Sequence, residues 1–267
     1  MIVHDVAGEL LAYGRELEAQ GAAQVGDSFT GDQDADAVLE NPNAFLIGVL
    51  FTQGIAAERA WAGPHLLAQR LGTLDLGYLA AHPEAVRHAV QTPPMLHRFK
   101  ETLPQWIIAA AVRLIENYDS DASAIWPAGD RVVDVIARLG EFQGIGRKKA
   151  VMAVEILTRH FGVELAGREC SQVAYDVQVR RVFLRSGLVD EDSSVAIEAA
   201  ASAAYPSSPG TLDLPAWLIG RQSCRPRKPL CDSCRLGAVC PRHVWLDVVG
   251  VGSRGARSNG SDSTRQT

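Results

Sequence analysis

The sequence predicts an all-α protein, and three observations carry that expectation. Apolar residues recur at helical spacing along most of the chain, broken into segments by glycine and proline. No stretch shows the apolar–polar alternation of a strand. Near the middle, Leu139-Gly-Glu-Phe-Gln-Gly-Ile-Gly-Arg-Lys-Lys-Ala150 reads as a tight glycine turn between two helices, tipped with cations.

In chain order, Val6, Leu10, Leu11 and Leu17 give a helix over 4–20, and the Gly- and Asp-rich segment 26–37 reads as an exposed loop. Asn41-Pro42 is a helix start, with a capping side chain and a proline in the first turn. Phe45, Leu46, Val49 and Leu50 follow on one face, and Gln53-Gly54 ends it. Between 56 and 92, Gly63-Pro64, Gly72, Gly77 and Pro83 divide the chain into short helices. Pro104 opens a core helix with a stripe of Ile107, Ala110, Ala111, Leu114 and Ile115. Asp130 is placed to cap the helix that leads into the central turn, where Val132, Val133, Ile136 and Leu139 keep helical spacing. After the turn, Val151, Val154, Thr158 and Phe161 restart the spacing up to Gly162. A long link, 162–175, carries Cys170. A helix over 176–186 then turns Val179, Val182 and Phe183 inward and leaves Arg180, Arg181 and Arg185 outside, closed by Gly187. Ser193 and Ser194 start another helix through Ala204, and Leu214 to Ile219 is a short apolar helix. From Gly250 the composition is that of a disordered tail, assigned as 246–267.

With 267 residues and 47% hydrophobic residues, the chain is long enough for one large or two modest cores. No apolar run is long enough to span a bilayer, and the first twenty residues lack a secretory pattern, so a soluble cytoplasmic protein is expected. The net charge of −5 is unevenly spread. Residues 1–40 hold nine acids against Arg15, a balance of −8, so the remainder carries +3. The cations cluster at Arg147-Lys148-Lys149, at Arg180-Arg181 with Arg185, and around Arg225, Arg227 and Lys228, a pattern that gives an acidic molecule a local positive face.

Four of the five cysteines fall in Cys224-x6-Cys231-x2-Cys234-x5-Cys240. In a reducing compartment this spacing points to a metal or cluster site rather than a disulfide framework, and by chemistry alone zinc and an iron–sulfur cluster both fit. Once such a loop is fixed, Arg225, Arg227 and Lys228 project from a rigid turn toward a phosphate backbone. At the central turn, Gly144 and Gly146 can take backbone angles barred to other residues, and the helix N-terminus behind them presents N–H groups to an anion such as a nucleic-acid phosphate.

Over residues 40–242 these features together resemble the endonuclease III family, the helix-hairpin-helix DNA glycosylases with a C-terminal iron–sulfur loop. Phe142-Gln-Gly-Ile-Gly-Arg-Lys-Lys-Ala150 matches the family hairpin Leu-Pro-Gly-Val-Gly-Arg-Lys-Thr-Ala, with Lys148 at the nucleophile and Lys149 at a threonine position. Tyr175-Asp176-Val-Gln-Val-Arg-Arg-Val182 matches the segment of the catalytic aspartate, which becomes Asp176, with Val177-Gln178 in place of Thr-His. Leu212 to Cys224 also looks familial, and the 6-2-5 cysteine spacing is the family's own, which selects a 4Fe-4S cluster over zinc. The link between Lys148 and Asp176 is longer than in the family. Gln53 is the candidate for the side chain that replaces an extruded base.

The resemblance implies a two-lobed fold. A six-helix domain over 40–162 carries the hairpin, and a cluster domain is assembled from 1–39 plus 163–245, with the DNA groove between them. It further implies a monomeric base-excision enzyme that removes a damaged or modified base, of pyrimidine type, from double-stranded DNA. Lys148 would form a Schiff base that also permits cleavage at the abasic site, and Asp176 would handle the proton or the developing sugar cation. Gly144, Gly146, Arg147 and Lys149 would hold DNA. A monofunctional glycosylase and a non-catalytic binder of distorted DNA are the alternatives that the sequence leaves open.

Overall fold

The structure, a computed structural model, describes residues 2–22 and 28–244. The expected tail, 246–267, lies outside the described residues. Thirteen α-helices form among the described residues, with no strand. They are α1 (Ile2–Ala19), α2 (Gln33–Val38), α3 (Pro42–Phe51), α4 (Ala57–Trp61), α5 (Gly63–Leu71), α6 (Leu76–Ala81) and α7 (Pro83–Gln91). After these come α8 (Thr102–Asn117), α9 (Val132–Gly140), α10 (Arg147–Arg159), α11 (Val177–Arg185), α12 (Ser194–Ala204) and α13 (Asp213–Gln222). The Asn41 side chain accepts from the N–H groups of Asn43 and Ala44 at the start of α3, as the Asn-Pro signal predicts.

Buried apolar side chains gather in two main clusters, which makes the molecule two-lobed. One runs from Phe29 to Leu165 and is filled by α3 to α10, with Phe45, Trp61 and Phe51 among its largest members. The other joins α1 to α11, α12 and α13 through Val6, Leu10, Phe183, Ile197 and Ile219. The amino-terminal helix therefore packs with the carboxy-terminal ones, its contacts being with α13, α12 and the 3₁₀ turn Pro209–Leu212.

Three local expectations are corrected. Segment 26–37 is not simply an exposed loop: Asp32 caps α2 by accepting from the N–H groups of Asp34 and Ala35, and Phe29 is buried. Asp130 does not cap α9, whose N-cap is Arg131; its carboxylate pairs instead with Arg138 one and a half turns into the helix. Arg181 and Arg185 are not on the outside, being 2% and 3% exposed.

Helices α9 and α10 are joined by a turn over 141–146, pinned by buried Phe142 and Ile145, with the Ile145 N–H bonded to the Phe142 carbonyl at 3.0 Å. Gly144 has φ +88°, and its α-carbon lies against Trp106 so closely that a Cβ would collide with the indole. Gly146 is different, with φ −86° and ψ 175°, an extended N-cap that any residue can adopt. It contributes no side chain to cap α10, so the first N–H groups of that helix keep their capacity for an anion. The substitution Gly144→Ala combines an unfavourable φ with a steric clash and is expected to cost about 2 kcal/mol or more, read as a shift in the urea midpoint at unchanged slope. Gly146→Ala is expected to cost well under half of that.

Candidate active site and cysteine pocket

Between the lobes lies a cleft of about 1220 Å³, open solvent at its mouth included. The first lobe contributes Thr52, Gly54, Ile55, Trp61, Lys148, Lys149 and Met152, and the second Asp176, Gln178, Asp213, Trp217 and Arg221. Ion pairs cross from lobe to lobe at several points. Arg221 on α13 meets Glu58 on α4, and Arg147 at the start of α10 meets Glu198 on α12 at 3.1 Å.

Lys148 Nζ is in direct contact with Asp176 Oδ2. The other oxygen of Asp176 accepts the Gln178 N–H at 2.7 Å and so caps α11. Capping and pairing with the lysine are therefore compatible roles of one carboxylate, each using its own oxygen. Its side chain is 12% exposed, whereas that of Lys148 is 54% exposed.

The neighbouring lysine behaves differently. Lys149 is 7% exposed, with its ammonium donating to the Leu50 carbonyl at 2.8 Å and standing 5.4 Å from the centre of the Trp106 ring. Burial, with Lys148 beside it as a lesser cause, pulls its pKa down to about 8. Desolvation thus falls on Lys149 rather than Lys148, and the expectation that Lys149 meets DNA is corrected, because its head group is directed into the protein. Gln53 is exposed at the rim of the cleft, between two residues that line it. Gly54, at φ +72°, packs against Arg98.

The stretch between Lys148 and Asp176, which stand 28 positions apart, is held by a buried polar cluster that sequence reasoning missed. Arg168, on the 3₁₀ turn Arg168–Cys170, donates to Glu155 and Thr158 of α10, the latter at 2.8 Å. Ser171 Oγ accepts the Gly210 N–H at 2.9 Å, and Asp213 Oδ1 accepts the Ala174 N–H at 2.7 Å. Burial pushes the carboxyl of Glu155 up, opposed by Arg168, and pushes that of Asp213 up to about 7. The only trace in the sequence is an acid at helical spacing inside an apolar series, which also fits a surface position.

Cys224, Cys231, Cys234 and Cys240 form no disulfide and surround one pocket of about 400 Å³, open solvent at its mouth included, also lined by Val182, Ile219 and Leu236. Among the described residues, no three acid, histidine or cysteine side chains converge closely enough to hold a single ion. Arg181 donates to the Cys224 carbonyl at 2.6 Å, and Arg185 to the carbonyls of Arg225 and Pro226 and, at 3.8 Å, to Cys224 Sγ. The Arg242 N–H reaches Cys240 Sγ at 3.4 Å. Burial raises the pKa of the thiols of Cys224, Cys234 and Cys240. Arg225, Arg227 and Lys228 of this loop are exposed.

No family profile matches the sequence, and no curated protein matches it. Solved structures do. An endonuclease III trapped as a covalent intermediate with DNA shares 21% identity and a TM-score of 0.56, over 78% of this chain and 92% of that one. A thermostable thymine-DNA glycosylase gives 12% and 0.60, over 88% of this chain and 96% of that one. An 8-oxoguanine DNA glycosylase from Pyrobaculum aerophilum gives 16% and 0.50, over 81% and 88%. The fold is that of the helix-hairpin-helix DNA glycosylases. Among the described residues, no helix is long and apolar enough to cross a membrane.

The depressed pKa of Lys149 has a thermodynamic consequence. Between about 8 and the ordinary lysine value of 10.5, the unfolded chain binds more protons than the folded one, so stability rises with pH across that window. Lys149→Met is expected to remove this rise, of about 3 kcal/mol at most, measured as the wild-type minus variant difference in unfolding free energy at pH 8 and pH 10.

Proposed function

We propose that this chain is a base-excision DNA glycosylase with associated abasic-site lyase activity, and that Lys148 and Asp176 carry the chemistry. The observation that supports this most is the contact between the two side chains inside a cleft between lobes, beside a helix N-terminus left open for phosphate. The three solved structures of similar fold act on DNA bases or are trapped on DNA, which points the same way.

A base within a duplex is out of reach, so the nucleotide must be extruded into the cleft and its place filled, a role for which Gln53 at the rim is suited. The free N–H groups at the start of α10 would hold the neighbouring phosphate. Lys148 must lose a proton before its nitrogen can attack C1′ of the sugar, and the carboxylate in contact with it is the acceptor at hand. Attack forms the N–C1′ bond as the bond to the base breaks. The base leaves with the electron pair and takes up a proton. Ring opening then gives the Schiff base from which strand cleavage proceeds. With Lys148 half exposed, contact with the carboxylate rather than desolvation is what activates it in this reading.

The four cysteines would hold a 4Fe-4S cluster. A pocket ringed by thiols, rather than a point that they share, suits a cubane with one thiolate on each iron, and the donors from Arg185 and the Arg242 N–H suit its negative charge. When bound, the cluster fixes the loop that carries Arg225, Arg227 and Lys228 for phosphate contacts, and the base-excision steps are left to Lys148 and Asp176.

Borohydride reduction in the presence of abasic-site duplex is expected to trap a covalent adduct with the wild type and none with Lys148→Ala, while base release by Asp176→Asn falls by about a hundredfold or more with DNA affinity retained. An adduct that persists in Lys148→Ala removes the assignment. A panel of duplexes with one modified base each, scored for base release separately from nicking, identifies the base. Iron and sulfide analysis of anaerobically purified protein is expected to give about four of each per chain, and Cys231→Ala is expected to lose them together with cooperative unfolding of the second lobe.

A further inference from the structure

Asp176 presents its carboxylate from the first turn of α11, and α13 holds that turn at two places. At one, Gly220 lies against Gln178 so that a Cβ would stand 2.7 Å from the Gln178 carbonyl oxygen, and Arg181 donates to the Gly220 carbonyl at 2.8 Å. At the other, Asp213, the first residue of α13, accepts the Ala174 N–H in a buried bond of 2.7 Å. The Asp176 N–H in turn donates to the Ala174 carbonyl at 2.7 Å, so the short stretch 174–176 is a tight turn fixed from its first residue. Asp213 is 7% exposed and lines the cleft with Lys148 and Asp176.

A buried acid in this place needs a reason. The charges of Glu155 and Arg159 of α10 and of Asp176 all act on it, and the one cation among these, Arg159, is shared with Glu155. Holding a carboxyl there costs stability. Resting on the glycosylase reading above, we propose that Asp213 is a positioning residue. Its oxygen fixes the Ala174 amide, and through that turn it sets the carboxylate of Asp176 against the amine of Lys148. The long link is otherwise anchored upstream, at Arg168 and Ser171. Without Asp213 the last stretch before Asp176 loses this side-chain bond to its backbone and keeps only the packing of buried Val173 and Ala174, and a displacement of about 1 Å at a reacting group is enough for a loss on the order of a hundredfold.

With the carboxyl near pH 7 in its titration, both ionisation states still offer an oxygen to the amide. The role therefore needs an acceptor and not a charge. Asp213→Asn keeps the acceptor, Asp213→Leu keeps the volume without it, and Asp213→Ala keeps neither. Single-turnover base release is expected to fall at least tenfold in the Leu and Ala variants, with duplex affinity within about threefold, and to stay within about threefold of wild type in the Asn variant. In amide exchange by NMR, Ala174 and Gln178 are expected to lose protection in the Leu and Ala variants alone. Full activity in Asp213→Leu overturns the inference, as does an Asn variant as slow as the Leu one, since a charge would then be needed. Should the Ala variant not fold, the Leu and Asn pair decides. If the wild type releases no base from any duplex, the glycosylase reading falls, and unchanged exchange at Ala174 and Gln178 separately refutes the anchoring by Asp213.

Discussion

Lys148 and Asp176 are 28 residues apart in sequence, and their two side chains meet at one point of the cleft. Everything that lies between them serves or tolerates that requirement. The lysine is placed early, on the first turn of a helix whose start is determined by the glycine turn before it. The aspartate arrives at the far end of a link that is pinned by Leu165 in the first cluster, by Val173 in the second and by backbone pairing of Ala166 with Asp130 and Val132. Polar side chains add to the anchor: Arg168 to Glu155 and Thr158, Ser171 to Gly210, and Asp213 to Ala174. Buried groups of this kind are costly unless satisfied, and satisfied ones admit one arrangement, which is what a two-residue site requires.

The same helix that begins with Asp176 ends with Arg185. Its first turn belongs to the cleft and its last to the cysteine loop, where Arg181 and Arg185 hold the carbonyls of Cys224, Arg225 and Pro226. A short rigid rod thus ties the carboxylate of Asp176 to the loop that exposes Arg225, Arg227 and Lys228. Movement of the loop against α13 would be felt at Asp176 through α11, because the two helices make close backbone contact at Gly220.

What the sequence made legible were features written in local spacing. The all-α class, the turn between α9 and α10, the start of α3 at Asn41-Pro42, the Ser193 cap and the four cysteines all depend on residues near one another, and each is present. The failures have more than one cause. Arg181 and Arg185 sit on the polar side of the α11 pattern, which a helical reading turns to solvent, yet a loop from forty residues later covers them. Asp130 precedes a helix as a cap does, yet Arg138 offers it a charge partner. In segment 26–37 the glycines and aspartates hid a capped turn and the buried Phe29. Tertiary partners that arrive from far along the chain leave no periodic trace.

The two adjacent lysines show the same limit at the level of chemistry. Successive residues on a helix point about 100° apart, so Lys148 and Lys149 cannot share an environment. One faces the cleft and meets Asp176; the other turns under the hairpin to the Leu50 carbonyl and the Trp106 ring. A pKa drawn down to about 8 by burial is what a nucleophilic lysine is usually expected to have, and here it belongs to the one that cannot reach a sugar in the cleft without leaving its carbonyl partner. Trp106 also backs Gly144, so the buried ammonium and the glycine turn lean on one indole. Lys149 therefore serves as a support for the hairpin. In the function proposed above, Lys148 would depend on the carboxylate it touches rather than on its own burial.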